Sequence, residues 1–331
     1  MSIEAAVYCS SVQLSVIIPA TDQPPTLEAA LSAIRAAADP PEEIIVIDHP
    51  RRFGSSAARN TGATDAMGDV LVFIDADVAV APDIFTRIRA HFDASPELTA
   101  VFGAYDDDPS DPSIVSSFRN LLHHDVHRGS PGRASTFWSG IGAVKRSAFM
   151  DVNGFDERYA RPSIEDIELG ARLVDNGATI LLDPEIEGKH LKTWSLGNMV
   201  MTDIFRRGAP WIALMLRQRS VPSTLNLGWH HRLSALMLLL TIIFAALLMW
   251  PFAAAAAAIF LVLNWRFYRL LITHRGVVFV LLGPLLHALH HLSAIVSVPI
   301  GVVEYVRKPW TAREGASPAA AARESANRVR T

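Results

Sequence analysis

The chain has 331 residues, of which 30 are lysine or arginine and 33 are aspartate or glutamate, so its formal net charge is -3. This balance argues against nucleic-acid binding, which favours a basic domain. The single cysteine, Cys9, leaves neither a disulfide framework nor a cysteine-based zinc site. The mean hydropathy of +0.24 is high for a soluble protein, and the excess lies between Leu233 and Val303, where acidic residues are absent.

The first half of the chain alternates short apolar runs with segments of helical spacing. The apolar runs predict buried strands over Leu14–Ile18, Ile44–Ile47 and Val70–Ile74. The helical spacing predicts helices over Thr26–Ala38, Ser55–Ala66 and Pro82–Phe92. This alternation predicts an α/β fold with a doubly wound, mostly parallel sheet, in which ligands bind beyond the carboxyl ends of the strands. Asp48 and Asp75 each follow such a strand directly.

The next hundred residues are less regular. Phe137–Val144 predicts a strand and a turn, Ile164–Asn176 a helix, and Thr179–Leu182 a strand, while Ile186–His190 is typical of an extended segment. The acidic run Asp106–Asp111 predicts a solvated loop.

The composition divides the chain into four parts. We predict an α/β domain over 1–217, a juxtamembrane linker over 218–232, a membrane domain over 233–306 and a disordered tail over 307–331. Because residues 1–14 lack a basic region and a long apolar run, we expect no signal peptide, and we place the α/β domain in the cytoplasm. The expected location is the plasma (inner) membrane, crossed more than once.

The membrane domain leaves several arrangements open. Leu233–Leu263 has no charged residue and fits one long tilted helix or, as we favour, a hairpin broken at Pro251. The basic residues of Asn264–Arg275 are expected on the cytoplasmic side. The last run, Val277–Val303, contains two prolines and fits a re-entrant segment, an interfacial helix or a third span. The segment around Trp211 fits either an interfacial helix or a helix packed on the α/β domain.

Two pairs of carboxylates are candidates for chemistry. Asp75 and Asp77 leave the third strand two residues apart, so both can face one cleft, and hard oxygen ligands suit Mg²⁺ or Mn²⁺. Glu165 and Asp166 begin a predicted helix, where acidic residues also favour the helix dipole. A carboxylate there can act as a general base if it reaches the reacting hydroxyl. Each pair alone is also typical of turns and helix caps.

A third candidate segment is His190–Trp194. An imidazole can complete the ligand set of a metal, and the ammonium of Lys192 can neutralise a leaving diphosphate. Taken alone, a histidine followed by a lysine indicates little, and the value of this segment depends on the two carboxylate pairs.

Together, these motifs resemble the family 2 glycosyltransferases, which have a GT-A fold. The matching stretches cover nearly all of residues 14–217 in the expected order, namely LSVIIPA, EEIIVID, SSAARNTGA, GDVLVFIDAD, FWSGIGAVKRSAF, VNGFDERY, IEDIELGARL and HLKTW. The predicted membrane segment matches only in that some members of the family also have one. The resemblance implies an inverting hexosyl- or related sugar transferase that uses a nucleotide-sugar donor and a divalent metal.

The resemblance also implies a role for particular residues. Asp166 would be the general base, supported by Glu165, and Trp138 and Gly140 would lie between donor sugar and acceptor. Asp77, Asp75 and His190 would meet the metal. The donor would be bound by Pro19, Ala20, Thr21, Asp48, Arg59, Asn60, Asp75, Lys192 and Trp194.

Two departures from the family pattern concern the donor. Many relatives have a tyrosine at Thr21 and a second aspartate at His49, so the nucleotide is left open. His190–Trp194 also lacks the QxxRW pattern of processive synthases, which argues against a polymer-extruding channel. The membrane segment favours a lipid or lipid-linked acceptor.

Three other functions compete with this interpretation. A catalytically degenerate sugar-nucleotide-binding scaffold is the main alternative, and a nucleotidyltransferase would need a Gly- and Arg-rich first loop where this chain has PATDQPP. His287, His290 and His291 have spacing found in membrane di-iron oxidases, but such enzymes need several such clusters. We expect that histidine face to contact lipid headgroups or the α/β domain.

Overall fold

The computed structural model describes residues 12–159, 161–219 and 225–307. Cys9, Pro222 of the predicted linker and the predicted tail from Lys308 onward lie outside the described residues. Nothing in the described part tests the predicted division into four parts, which remains a prediction.

Within these residues eight strands form one sheet. In chain order they are β1 (Leu14–Pro19), β2 (Glu43–Ile47), β3 (Val70–Ile74), β4 (Val78–Val80), β5 (Leu98–Tyr105), β6 (Gly132–Ala134), β7 (Ile141–Lys145) and β8 (Thr179–His190). Their order across the sheet is β2-β1-β3-β7-β5-β8-β4, and β6 pairs with β8.

The α/β fold is confirmed, and the sheet is mixed. β1 pairs in parallel with β2 and β3, as the alternation of strands and helices predicts. β7 lies antiparallel between β3 and β5, and β4 and β6 oppose β8. Five strands still share one direction. β3 and β5 both oppose β7, so β5 and its parallel partner β8 run in the direction of β1, β2 and β3. The alternation ends after the third helix, so it could not reveal the reversed strands.

The helices surround the sheet and then continue into the apolar part of the chain. They are α1 (Leu27–Ala36), α2 (Ser55–Asp65), α3 (Ile84–Ala94), α4 (Ile114–Arg128), α5 (Arg146–Asp151), α6 (Glu165–Asp175), α7 (Leu196–Met201), α8 (Ala209–Gln218), α9 (Trp229–Ala246), α10 (Trp250–Leu263), α11 (Trp265–Arg275) and α12 (Phe279–Arg307). A wider π-helical turn, Thr202–Gly208, joins α7 to α8.

The core of the α/β domain follows from the apolar strands. β3 is buried along its whole length, and the Phe73 ring packs against those of Phe149 and Phe155 at centroid distances of 5.3 and 5.1 Å. With the sheet buried on both faces, the strand ends are the accessible edge, which is where polar residues can meet a ligand.

The hairpin that we favoured in the membrane domain is confirmed. α9 and α10 turn back on each other at residues 247–249. The far ends of the two helices are therefore in contact, where His230 Nε2 lies 2.7 Å from the Leu263 carbonyl oxygen and Ser234 is bonded to Asn264. Pro251 lies in the first turn of α10, where its missing N–H costs nothing. Among the described residues, α9 and α12 are long and apolar enough to cross a membrane, and α10 with α11, bent by 62°, would make a third span.

α12 is one continuous helix in spite of its two prolines, so the chain does not reverse within it. It packs on α8, and Gly301 makes this possible, since a Cβ there would lie 2.6 Å from the Ala209 carbonyl oxygen. The segment around Trp211 is therefore a helix that packs on α12.

The acidic loop after β5 is paired as well as solvated. Asp107 lies 3.0 Å from His274, and Asp108 lies 3.5 Å from Arg275, both at the end of α11. The loop and α11 are more than 160 residues apart in sequence, so the local composition alone predicted only a solvated loop.

Candidate active site

The carboxyl ends of β1 and β2 carry the first group of predicted donor-binding residues. The loop Pro19–Thr21 leaves β1, and the Ala20 N–H donates to the Ile47 carbonyl at 2.9 Å, which fixes this loop against β2. Thr21 is buried, and Asp48 is exposed with its carboxylate 2.8 Å from His49. The His49 contact lowers the pKa of Asp48. The loop and Asp48 therefore share one edge of the sheet.

Arg59 joins the two carboxylate pairs. This buried guanidinium, on α2, contacts Asp75 Oδ1 at 2.6 Å and Glu165 Oε1 at 3.2 Å. Ser55 and the Ser163 N–H also donate to Glu165. Burial would lower the pKa of Arg59, but the two carboxylates outweigh it and raise that pKa. The end of β3 and the start of α6 are thereby held together at one point.

Asp166 lies beside this bridge without taking part in it. Its carboxylate accepts from the Ile167 N–H at 2.8 Å and faces the Ser139 N–H at 3.4 Å. Burial, followed by repulsion from Glu165, raises the pKa of Asp166 to about 6. A half-buried carboxylate whose pKa is close to neutral pH is suited to accept a proton in a reaction.

Asp77 occupies the opposite electrostatic environment. Its Oδ2 lies 3.8 Å from His190 Nε2 and 3.9 Å from Lys192 Nζ. Burial would raise the pKa of Asp77, but His190 and Lys192 outweigh it and lower that pKa. The pairing of β4 with β8 creates this arrangement, since Val78 lies opposite His190. Asp77 is thus held as a carboxylate.

The predicted metal ligands divide into two sets. Asp77 and His190 face each other at a distance too long for a hydrogen bond, whereas Asp75 is turned to Arg59. Within the described part of the chain, no three His, Cys, Asp or Glu side chains are placed to hold a metal ion by themselves. An oxygen and an imidazole nitrogen are donors that Mn²⁺ accepts, and Mg²⁺ and Mn²⁺ sites usually take further ligands from substrate phosphates. The pair Asp77 and His190 therefore fits such an ion as a partial ligand set.

Aromatic rings form the floor of the site. His190 stacks on Tyr105 with centroids 4.1 Å apart, and Tyr105 meets Trp138 edge to face at 4.9 Å. Asp75 N–H donates to the Gly140 carbonyl at 3.1 Å. A Cβ on Gly140 would lie 2.3 Å from the Trp138 ring, so only glycine fits there. Trp138 and Gly140 are consequently placed next to both carboxylate pairs.

Two predicted donor residues make mainly internal contacts. The Asn60 amide donates to the Phe155 carbonyl at 2.9 Å and to Glu157 at 2.8 Å, and it accepts from the Phe155 N–H. Asn60 thus fixes the segment that leads to α6. Trp194 lies between two cations, 5.0 Å from Lys192 and 5.4 Å from Arg119.

The sequence analysis missed four residues of the site, which are Tyr105, Arg119, Asp203 and Arg207. Asp203 is buried and lies 2.8 Å from Arg119 and 2.7 Å from His290 of α12. Arg207 follows Arg206, whose carbonyl accepts from the Ser163 hydroxyl just before Glu165, and it opposes the rise in the pKa of Asp166. The basic pair Arg206-Arg207 is evident in the sequence. No sequence pattern indicated that the turn carrying it contacts the segment just before Glu165 and Asp166.

Comparison with known proteins supports this assignment. Residues 38–152 match the glycosyl transferase family 2 model, and residues 122–192 match the model for the N-terminal domain of galactosyltransferase. The pre-mycofactocin glycosyltransferases of Mycobacterium tuberculosis strains CDC 1551 and H37Rv are 30% identical over 157 residues, which is 43% of this chain. The chain spans only 31% of the length of these relatives.

A solved structure shows the same fold. The mannosyltransferase of Pyrobaculum calidifontis, determined with GDP-Man and Mn²⁺, superposes with a TM-score of 0.50 at 15% identity. The superposition covers 89% of this chain and 87% of that one. The matched family model, the similarity to these relatives and the shared fold support a family 2 glycosyltransferase with a GT-A architecture.

Proposed function

We propose that this protein is a membrane-associated glycosyltransferase that moves a sugar from a nucleotide-sugar donor to a hydroxyl acceptor with inversion. The observation that carries the proposal is that one site holds a half-buried carboxylate whose pKa is raised, Asp166, and a carboxylate held ionised, Asp77. Arg59 joins their neighbours Glu165 and Asp75. Two carboxylates with separated pKa values are typical of divided roles in one reaction.

The roles follow from the surroundings of each residue. Asp166 takes the proton of the acceptor hydroxyl as that oxygen attacks the anomeric carbon, and the sugar–phosphate bond breaks on the opposite face. Arg59 and Glu165 hold Asp75 and the start of α6 in place. Lys192 neutralises charge on the departing diphosphate. Trp138 and Gly140 line the space between the donor sugar and the acceptor.

A divalent metal fits this proposal. Asp77 and His190 would hold it, with the donor diphosphate supplying the remaining ligands. When bound, Mg²⁺ or Mn²⁺ would stabilise negative charge on the leaving group. The Pyrobaculum calidifontis structure that shares this fold contains Mn²⁺.

The apolar helices support the finer parts of the proposal. α9 and α12 can each cross a membrane, and the basic residues of α11 favour a cytoplasmic α/β domain. A catalytic site tied to membrane helices suits a lipid or lipid-linked acceptor, since donor and acceptor can then meet at the membrane surface.

The decisive experiment measures binding of a panel of nucleoside diphosphate sugars to detergent-purified full-length protein, with and without Mn²⁺. We expect Mn²⁺-dependent binding of one donor that Asp77→Ala abolishes. Asp151→Asn, which changes an exposed carboxylate, is the matched control. The anomeric configuration of the product, read by NMR, tests inversion.

A folded protein that binds no nucleotide sugar would overturn the proposed function. Binding of a donor without transfer to any acceptor would favour the degenerate scaffold. Retention of the anomeric configuration would overturn the single displacement and with it the role of Asp166.

A further inference from the structure

The π-helical turn Thr202–Gly208 returns to the active site from the membrane side. Its Arg206 carbonyl accepts a hydrogen bond from the Ser163 hydroxyl, and the Ser163 N–H donates to Glu165 Oε2 at 2.7 Å. On its other side, Asp203 contacts Arg119 of α4 and His290 of α12. The turn is therefore fixed at two places, and π-helical turns are frequent at functional sites.

Arg207 is the basic residue that this turn brings to the site. Asp203 and Arg207 are four residues apart, so they lie on one side of the turn. Arg207 is half-buried, and in the described part of the chain it has no hydrogen-bond or ion-pair partner. Asp203 is already bound to Arg119. The Asp203 carboxylate is thus occupied by Arg119 and His290, and the positive charge of Arg207 is left over.

The position of this charge distinguishes it from Lys192. Lys192 lies beside Asp77, where the diphosphate would leave. Arg207 instead directly follows Arg206, whose carbonyl accepts from the Ser163 hydroxyl, and the Ser163 N–H is bonded to Glu165, the neighbour of Asp166. In line with this position, Arg207 opposes the rise that burial and Glu165 cause in the pKa of Asp166. The surplus cation is therefore on the side of the proposed base, where the acceptor must bind.

The outer side of the same segment is apolar. Met201 and Phe205 are 53% and 50% exposed, and the turn packs on α12, which is long and apolar enough to cross a membrane. A molecule that approaches Asp166 from the bilayer would pass this surface and reach Arg207.

We propose, on the basis of the function proposed above, that Arg207 binds an oxyanion of a lipid acceptor and so holds the attacking hydroxyl beside Asp166. A guanidinium presents paired N–H donors that match phosphate and carboxylate geometry. An acceptor of this class carries a phosphate or carboxylate close to the hydroxyl that receives the sugar.

The test uses full-length protein in a neutral detergent and titrates dodecyl phosphate, inorganic phosphate, UDP and GDP by calorimetry. We expect Arg207→Gln to weaken dodecyl phosphate binding by about tenfold or more, with binding of the nucleoside diphosphates unchanged. Arg206→Gln removes the same charge from the exposed neighbouring side chain and should leave binding of dodecyl phosphate unchanged. Arg207→Lys keeps the charge, should fall between wild type and Arg207→Gln, and serves if Arg207→Gln does not fold.

Three results would overturn the inference. The first is wild-type protein that does not bind dodecyl phosphate. The second is equal binding of dodecyl phosphate by wild type and Arg207→Gln. The third is an Arg207→Gln defect as large for UDP or GDP as for dodecyl phosphate, which would assign Arg207 to the donor. Inorganic phosphate that binds as tightly as dodecyl phosphate would also exclude a lipid as the source of the oxyanion. A protein that binds dodecyl phosphate through Arg207 but binds no nucleotide sugar would overturn the proposed function alone.

Discussion

Asp166 and Asp77 are the same residue type in one cleft, yet their surroundings separate their pKa values. Burial and the neighbouring Glu165 raise the pKa of Asp166 to about 6, whereas His190 and Lys192 keep the pKa of Asp77 below its usual range in spite of burial. Near neutral pH, Asp77 stays charged, and Asp166 can exchange a proton. This division gives the site a pH dependence that depends on Asp166.

We predict that the transfer rate rises with pH through about 6 and levels off above it. A raised pKa means that Asp166 is protonated below that value and cannot accept the proton of the acceptor, so kcat/KM should fall about tenfold for each pH unit below 6. The measurement is kcat/KM from pH 4.5 to 8, with donor affinity followed in parallel. A flat profile between pH 5 and 7 would contradict the role of Asp166.

We also predict that Asp166→Asn lowers turnover by about 10²–10⁴-fold, because an amide of the same shape cannot take the proton. Donor binding should be nearly unchanged, since Asp166 does not touch Asp77 or Lys192 in the pairing above. Asp175→Asn, at the exposed end of the same helix, is the control. Wild-type turnover in Asp166→Asn would remove Asp166 from the mechanism.

Gly140 gives a prediction that depends on packing alone. A Cβ at this position would lie 2.3 Å from the buried Trp138 ring, which Tyr105 and His123 hold in place. We expect Gly140→Ala to lower the free energy of unfolding by about 1–3 kcal/mol, as overpacking usually does, and to reduce turnover by moving Trp138.

The control for Gly140→Ala is Gly197→Ala. Gly197 lies in α7 with open space where its Cβ would be, so alanine should leave stability unchanged or raise it by up to about 1 kcal/mol. Thermal melting of both variants measures the difference, and equal melting temperatures would show that the Trp138 ring can move aside.

The sequence predicted the carboxylates better than their partners. Asp75, Asp77 and Asp166 follow from motifs that are local in the chain. Arg59 was predicted only through a family resemblance, and its contacts with Asp75 and Glu165 join segments that are 16 and 106 residues away. Contacts of that range depend on the packing of α2 against the sheet, which no local pattern encodes.

At the level of secondary structure, the turn between α7 and α8 connects more of the molecule than its length suggests. Asp203 joins Arg119 of α4 to His290 of α12, and Arg119 in turn lies over Trp194. Arg119 and His290 outweigh burial and lower the pKa of Asp203 to about 2. The long apolar helix α12 is thereby linked, contact by contact, to the segment that carries Lys192.

We predict that Asp203→Asn destabilises the protein by about 3–5 kcal/mol, because it leaves Arg119 buried without a counter-charge. The apparent KM for the donor should rise as Trp194 and Lys192 lose their support. Melting temperature and donor KM measure the two effects, and Asp151→Asn is the exposed control. A variant that melts like wild type would show that Arg119 finds another partner.

Two missed elements show where sequence patterns lose information. β5 (LTAVFGAY) and α4 (IVSSFRNLLHHDVHR) were not predicted. In α4 the buried face includes Asn120, His124 and His127, whose side chains contact backbone carbonyls of β5 and of the loop after it. Polar residues on the inner face remove the apolar periodicity on which the prediction depends.

In the complete fold, the α/β domain and the apolar helices share a second hydrophobic core. Phe118, Leu121 and Leu122 of α4 pack with Phe267 and Leu271 of α11, and the rings of Phe118 and Phe267 lie 5.6 Å apart. The apolar helices are therefore part of the packed interior of the α/β domain.

The final prediction follows from this shared core. A fragment ending at Gln218 would expose Phe118, Leu121, Leu122 and Met199, and each buried apolar side chain is worth about 1.5–3 kcal/mol. Four such losses are comparable to the whole stability of a domain, about 5–15 kcal/mol. We expect the fragment to aggregate or to melt well below the full-length protein in detergent.

A second version of the fragment separates exposure from loss of the membrane helices themselves. Replacing Phe118, Leu121 and Leu122 with glutamine removes the exposed apolar surface, and this version should be more soluble than the unmodified fragment while remaining less stable than the full chain. Size-exclusion chromatography and thermal melting compare the three proteins. An unmodified fragment that is monomeric and melts at the temperature of the full-length protein would show that the second core adds nothing to the fold, and the apolar helices would then serve as an anchor alone.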